Sequence, residues 1–387
     1  MSTVSKPTLL HTYSSPSMRR VGLLLLAIGA LLLPQWRNGA AVDVVTLALL
    51  YGFLAASWNV VGGFAGQISV GHAAFFGLGA YGVGICYVQL GLSPYVGILV
   101  GILFASVGGL MLGAISFWLP FSGYTFILLT LSFAELLRAI IRSVDTFGGS
   151  NGLIFPFNPG LATLQFRNSE VYYYIALAMV VAIIVIGKKI RSSGFGMRAE
   201  AVRDDEGSAV ALGIASKKIK LAALVFSAAL TGLGGAFYAT MFSFITPDQV
   251  FSMDFSVAMI TGALIGGIGT AWGPIVGGAL MWLLTEGMAR LPLGSGVGAN
   301  LAIMLYGLAL ILIVQRLPRG VMTNLIGENV RGRLDGGIAL RRVSAWWSSR
   351  RMNGGVSVLP HSTDSRVPAA GAQGFQATPS EEKKDAR

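Results

Sequence analysis

Residues 44–82 read VVTLALLYGFLAASWNVVGGFAGQISVGHAAFFGLGAYG, and no Asp, Glu, Lys or Arg interrupts them. The charge-free run continues to residue 134, more than four times the ~20 apolar residues that one bilayer-spanning helix needs. Outward from this stretch the composition is of the same kind. Hydrophobic residues make up 54% of the 387, and charged residues 12%, against roughly 25% in soluble domains. A water-facing surface cannot be built from so few charges, which excludes a soluble enzyme and a disordered chain. The one cysteine, Cys86, lies in an apolar run and excludes a disulfide scaffold. Glycine is abundant at 52 residues, as expected where helices must pack closely without a hydrophobic drive between them.

The fold class is therefore all-α, a polytopic integral membrane protein of about ten transmembrane helices with a cytoplasmic helix between two of them. Apolar runs bounded by charge, Pro or Gly clusters predict helices near 21–36, 42–61, 73–90, 94–117, 122–142, 170–187, 219–243, 254–269, 273–289 and 297–315. With the amino terminus inside, residues 1–20, the 188–220 loop and the tail from Arg316 hold 23 of the 28 Lys and Arg. The positive-inside rule thus puts both termini in the cytoplasm. The net charge of +11 reflects this topology and contact with anionic membrane lipid rather than nucleic acid. The organisation expected is a cytoplasmic segment 1–20, a transmembrane domain 21–316 with a cytoplasmic loop 188–218, and a cytoplasmic tail 317–387. That tail carries an amphipathic stretch around Trp346-Trp347 and is disordered from about 353.

Two glycine-dense breaks interrupt the apolar sequence: Gly62-Gly63-Phe64-Ala65-Gly66-Gln67-Ile68-Ser69-Val70-Gly71-His72 and Gly266-Gly267-Ile268-Gly269-Thr270-Ala271-Trp272-Gly273-Pro274. Irregular backbone at membrane depth is tolerated only when buried in protein or lining a wet cavity, so such breaks mark a transport path or a close-packed turn. Gly66, Gln67, Ser69, Gly71, His72, Gly77, Gly266, Gly267 and Gly269 are the candidate path and packing residues. Gln67 and His72 either face a substrate or satisfy neighbouring polar groups. Ala73, Gly77, Ala80 and Gly84 are spaced to line one helix face for a close neighbour. Glu135, Arg138 and Arg142 are spaced to share a helix face, with Glu135 and Arg138 paired.

The 194–214 loop is long and evenly mixed in charge. Ala201, Asp205 and Ala209 fall on one helical face, acids lead at Asp204 to Glu206, and Gly213 supplies a stop, so a short helix outside the bilayer is expected. A tethered helix of this kind either docks into a groove on a soluble partner or packs on its own domain.

Gly66 through Tyr81 resembles the signature of branched-chain amino acid ABC importer permeases of the LivM-like type. Thr146-Phe147-Gly148-Gly149-Ser150-Asn151-Gly152-Leu153 resembles that family's external Gly-Gly loop, Gly196-Met197-Arg198 through Gly213-Ile214 its coupling region, and Gly262 through Pro274 its late Gly-Gly-x-Gly-Thr break. The resemblance spans roughly residues 42–315. It implies a non-catalytic permease subunit in a bacterial plasma membrane, paired with a second, LivH-like permease and two cytoplasmic ATPases. A periplasmic or lipid-anchored binding protein would feed it, and no cofactor would be held by the chain itself.

The loop then resembles an EAA-type coupling helix, with Arg203, Asp204, Asp205, Glu206, Ala209 and Gly213 as the coupling residues. It departs from E-A-A-x-x-x-G, since Glu206-Gly207-Ser208 replaces the opening and Gly213 lies one residue late. No G-x-x-x-x-G-K-[ST] loop occurs, so the chain has no phosphate cradle of that type. Branched-chain amino acids are the default substrate and urea or short amides the alternative. An ion-coupled secondary transporter would need intramembrane ionisable residues, which 44–134 lack.

Overall fold

The computed structural model describes residues 39–118 and 123–289, with a few single positions outside them. The helices expected at 21–36 and 297–315, the segment 1–20 and the tail 317–387 lie essentially outside the described residues. The described chain is helical: α1 (Gly39–Asn59), α2 (His72–Gly84), α3 (Pro94–Trp118), α4 (Gly123–Ser143), α5 (Ser169–Ser192), α6 (Gly194–Asp204), α7 (Glu206–Ala211), α8 (Ser216–Phe242), α9 (Pro247–Val250), α10 (Met253–Gly266) and α11 (Gly273–Ala289). Among the described residues six helices are long and apolar enough to cross a membrane. α11 coincides with the predicted run 273–289, whereas α2 ends at Gly84, short of the predicted 90, and passes into a π-turn over Ile85–Gln89.

Local chemistry sets the boundaries. Hydroxyls inside the apolar helices return to the carbonyl one turn back, as Thr46 does to Val42 and Ser57 to Phe53, which removes a polar cost without leaving the helix. Ser193 caps α6, Asp205 caps α7, Thr246 with Pro247 starts α9, and Ser252 caps α10, each side chain accepting from an amide of the first turn. α7 ends in a Schellman turn: Gly213, at φ +82°, donates to the Val210 carbonyl, and Ile214 donates to that of Ala209.

α8 lies at the centre, packed on α2, α3 and α1, while α1 also meets α5, α10 and α11. Aromatic rings fill the interior: Phe76 stacks on Phe255 at 4.3 Å, and Tyr51 stacks between Phe255 and Trp282. The small-residue stripe on α2 does not make the closest helix approach. Gly77 faces the Phe251 ring and Gly84 the side chains of Leu153 and Ile245, whereas Gly79 and Gly82 meet the backbones of α8 and α3. A Cβ on Gly82 would overlap Gly101, so three helices touch through glycine on a neighbouring face of α2. The outer faces of α3 and α4 expose Leu99, Leu103, Met111, Leu128 and Leu136, an apolar surface of the kind lipid requires.

The 144–168 and 193–215 connections lie at opposite ends of α5. At the first, the strands β1 (Leu153–Ile154) and β2 (Phe244–Ile245) pair antiparallel, Leu153 opposite Ile245. That pair, and α9 beside it, were not foreseen from the sequence. At the second end sit α6, α7 and both glycine breaks.

Candidate functional site

The first break begins where α1 widens into a π-turn over Val60–Phe64. The chain then runs irregularly to His72, which bonds to Ser227 well inside α8, about 16 Å from its first residue at 1.5 Å per residue. α2 therefore starts part-way through the apolar slab, and its entry must be satisfied by protein. Trp58 Nε1 donates to the Ser69 carbonyl at 2.7 Å, the Thr130 hydroxyl accepts from the Val70 amide at 3.1 Å, and the Ser256 hydroxyl accepts from Ala73 at 2.8 Å. Gly71 lies against the Thr130 carbonyl so closely that a Cβ would overlap it.

His72 is fully buried in this network. Ser227 donates its one hydroxyl proton to the Ser57 carbonyl at 2.7 Å, so it must accept from His72 Nε2–H at 2.8 Å. Nδ1 is then the acceptor for the Ser69 hydroxyl at 2.9 Å. Both ring nitrogens are used within the protein, which favours the satisfied-histidine alternative over a ligand. Gln67 is half-buried, its amide 3.4 Å from the Ala65 carbonyl, and Gly77 belongs to the aromatic layer towards the opposite end.

The second break turns α10 into α11. Gly266 abuts Gly273, Gly267 sits at φ +119° and Gly269 at φ +76°. One buried side chain joins this turn to the first. Asn59 accepts from the Gly269 amide at 2.8 Å through Oδ1 and donates to the Thr270 carbonyl at 3.0 Å through Nδ2. Beside it, Ala56, Asn59, Val60, Phe64, Thr270 and Ala271 border a crevice large enough for about one water molecule. Asn59 was missed from the sequence, although the one asparagine of the charge-free run 44–134, close to Gly62-Gly63, is the signal that could have found it.

The loop expected as one helix is two. The chain breaks at Asp205, whose carboxylate accepts from the Ser208 amide at 3.1 Å and its hydroxyl at 2.7 Å; these bonds hold the Asp205 pKa below the usual carboxylate range. Glu206 reaches Ser216 and Lys220 of α8, both at 2.6 Å. Partial burial pushes its pKa up, and the bonds from Lys220 and Ser216 outweigh that and leave it lowered.

Ala209 is buried and fastens α7 to the domain, while Val210 and Leu212 stand exposed, Leu212 at 82%. Arg203 also turns inward. Its Nη1 donates to the Gly63 carbonyl at 3.0 Å, and Asp204 holds the rest of the guanidinium at 2.9–3.0 Å. A Cβ on Gly66 would come within 2.6 Å of Arg203 Cγ, and one on Gly269 within 3.0 Å of Nη1. The structure thus brings Arg203, Gly66, Gly269 and Asn59 into one knot. Ser69, Gly71 and His72 form a second, deeper group.

At the other end the expected Glu135–Arg138 pair is present at 3.4 Å. The shorter partner of Arg138 is Asp248 on α9, at 2.8 Å, and Arg142 joins the same carboxylate at 3.5 Å.

The family described as branched-chain amino acid transport system / permease component has a model that matches residues 40–314. The LivM high-affinity branched-chain amino acid permease protein of Escherichia coli K12 is 26% identical over 326 residues, covering 78% of this chain and 74% of its own. Its Salmonella typhimurium counterpart is 25% identical over 328 residues, covering 79% and 75%. A solved ABC transporter of the metal-chelate type, in an inward-facing conformation, aligns with a TM-score of 0.43 and 18% identity over 79% of this chain and 100% of that one. Six apolar helices of crossing length among the described residues and a family match over most of the sequence agree: the chain is a multi-pass membrane protein and belongs to the branched-chain amino acid transport system permease family.

Proposed function

We propose that this chain forms part of the translocation path for branched-chain amino acids in an ATP-binding cassette importer of a bacterial plasma membrane. In this reading it pairs with a second permease subunit, with two cytoplasmic ATPases supplying energy and a binding protein delivering substrate. The observation that carries the reading is the pair α6–α7, held rigidly between two long helices yet presenting apolar side chains outward. Met197, Val210 and Leu212 are exposed on it, whereas Ala199, Val202 and Ala209 anchor it. Exposed apolar residues on a firmly seated short helix suit a groove on a soluble partner. The sequence has no Walker-type loop of its own, so hydrolysis belongs to that partner. The 193–215 end is accordingly cytoplasmic and the 144–168 end external, in line with the Lys and Arg distribution.

The test is a Val210→Glu, Leu212→Glu variant, chosen because neither side chain supports the fold. Leucine uptake and co-purification of the ATPase should both be lost at unchanged permease abundance. Full uptake by the variant would refute docking at this surface.

A further inference from the structure

We infer that Arg203 is a positioning residue that locks the cytoplasmic loop to both glycine breaks, so that a displacement of α6 is transmitted to the path through one guanidinium. The inference rests on the importer reading above and deepens it. Its warrant is the geometry of a slot. Gly66, at φ +70°, leaves the space through which the arginine stem passes, and Gly269 of the other break leaves room for its tip. Either Cβ would crowd the side chain. Nη1 ends on the Gly63 carbonyl, and Asp204 Oδ1 fixes the plane by taking both Nε and Nη2.

A planar fork with several donors can satisfy a backbone carbonyl and a carboxylate together; an ammonium on a flexible stem can hold one of them firmly. Gly63 in turn packs on Asn59, and Asn59 carries the bonds to Gly269 and Thr270. Motion of α6 therefore pulls on the α1–α2 and α10–α11 turns at once. Asp204 is 62% exposed and Arg203 only 23%, so the carboxylate faces the outside of the protein while the guanidinium faces the breaks.

The experiment uses the complex purified from membranes with its own ATPase and reconstituted in liposomes, comparing wild type, Arg203→Gln and Arg203→Lys. ATP hydrolysis and leucine uptake are measured in parallel. For Arg203→Gln the expected result is hydrolysis within about twofold of wild type and uptake lowered by about tenfold or more, with Arg203→Lys between the two. A purely structural role would not change the ratio of uptake to hydrolysis. An unchanged ratio overturns the inference, as does proportional loss of both with the ATPase detached, which would make Arg203 a docking contact. Should Arg203→Gln fail to accumulate, the ratio in Arg203→Lys decides by the same criterion. A wild-type complex without any ATPase would overturn the importer reading itself, and this inference with it.

Discussion

Asn59→Leu isolates the joint between the two breaks. The substitution keeps the branching at Cγ but replaces the amide with two bulkier methyl groups, so the Gly269 amide and the Thr270 carbonyl lose the partners that Asn59 gives them and the turn is crowded besides. Asn59 is 2% exposed, and a buried polar group left unsatisfied costs about 1–3 kcal/mol, or roughly 2–6 for two. Hydrogen bonds between membrane helices average nearer 0.6 kcal/mol, because the unfolded chain in the membrane also finds partners, so about 2–3 kcal/mol is the expected loss. Asn59→Ala makes a different case. It opens space beside a crevice that already has room for about one water, and a water bridging the amide and the carbonyl should limit the loss to about 1 kcal/mol. Unfolding of the purified protein by rising SDS fraction measures both, with leucine uptake as the functional readout. Wild-type stability in Asn59→Leu, or an alanine variant less stable than the leucine one, would refute the bridge.

Cysteines placed at Ser193 and Ser150 should react oppositely with a membrane-impermeant reagent in intact cells, Ser150→Cys labelling and Ser193→Cys protected; equal labelling would overturn the sidedness. Gly71→Leu should abolish transport or assembly because its side chain would enter the Thr130 backbone, and Gly267→Leu should do so through its φ of +119°. Normal transport by either at normal abundance would mean that these turns open at no cost. Glu206 is held below the usual carboxylate range, so its ties to Ser216 and Lys220 are fully present above the unfolded value near ~4.3 and are lost only as pH falls through the lower folded value. Hydrogen-exchange protection factors across 206–214, taken against the intrinsic rate at each pH, should therefore be level from pH 8 to 5, whereas Glu206→Gln should lower them at pH 7; loosening of the wild type near pH 6 would assign the titration to another group.

The sequence determined the elements whose cause is local. A charge-free run cannot end in water, so the apolar stretches among the described residues became helices within a few residues of where hydropathy placed them, and Gly213 stopped the loop helix as its backbone freedom allows. The deeper group was legible too, since Ser69, Gly71 and His72 stand within one short motif. Tertiary structure alone decided what depends on distant partners. Nothing near Arg203 in the chain says that its guanidinium turns inward to Gly63, because the slot that receives it is made by Gly66 and Gly269 from two separate breaks. Periodicity drew one helix through Asp205, but a capping carboxylate competes with helix continuation and the choice fell to the bonds that Glu206 makes with α8. Asp248 meets Arg138 from 110 residues away. Hydropathy reports which segments leave water; it carries no information on which glycine faces which backbone, and in lipid that contact geometry settles the packing.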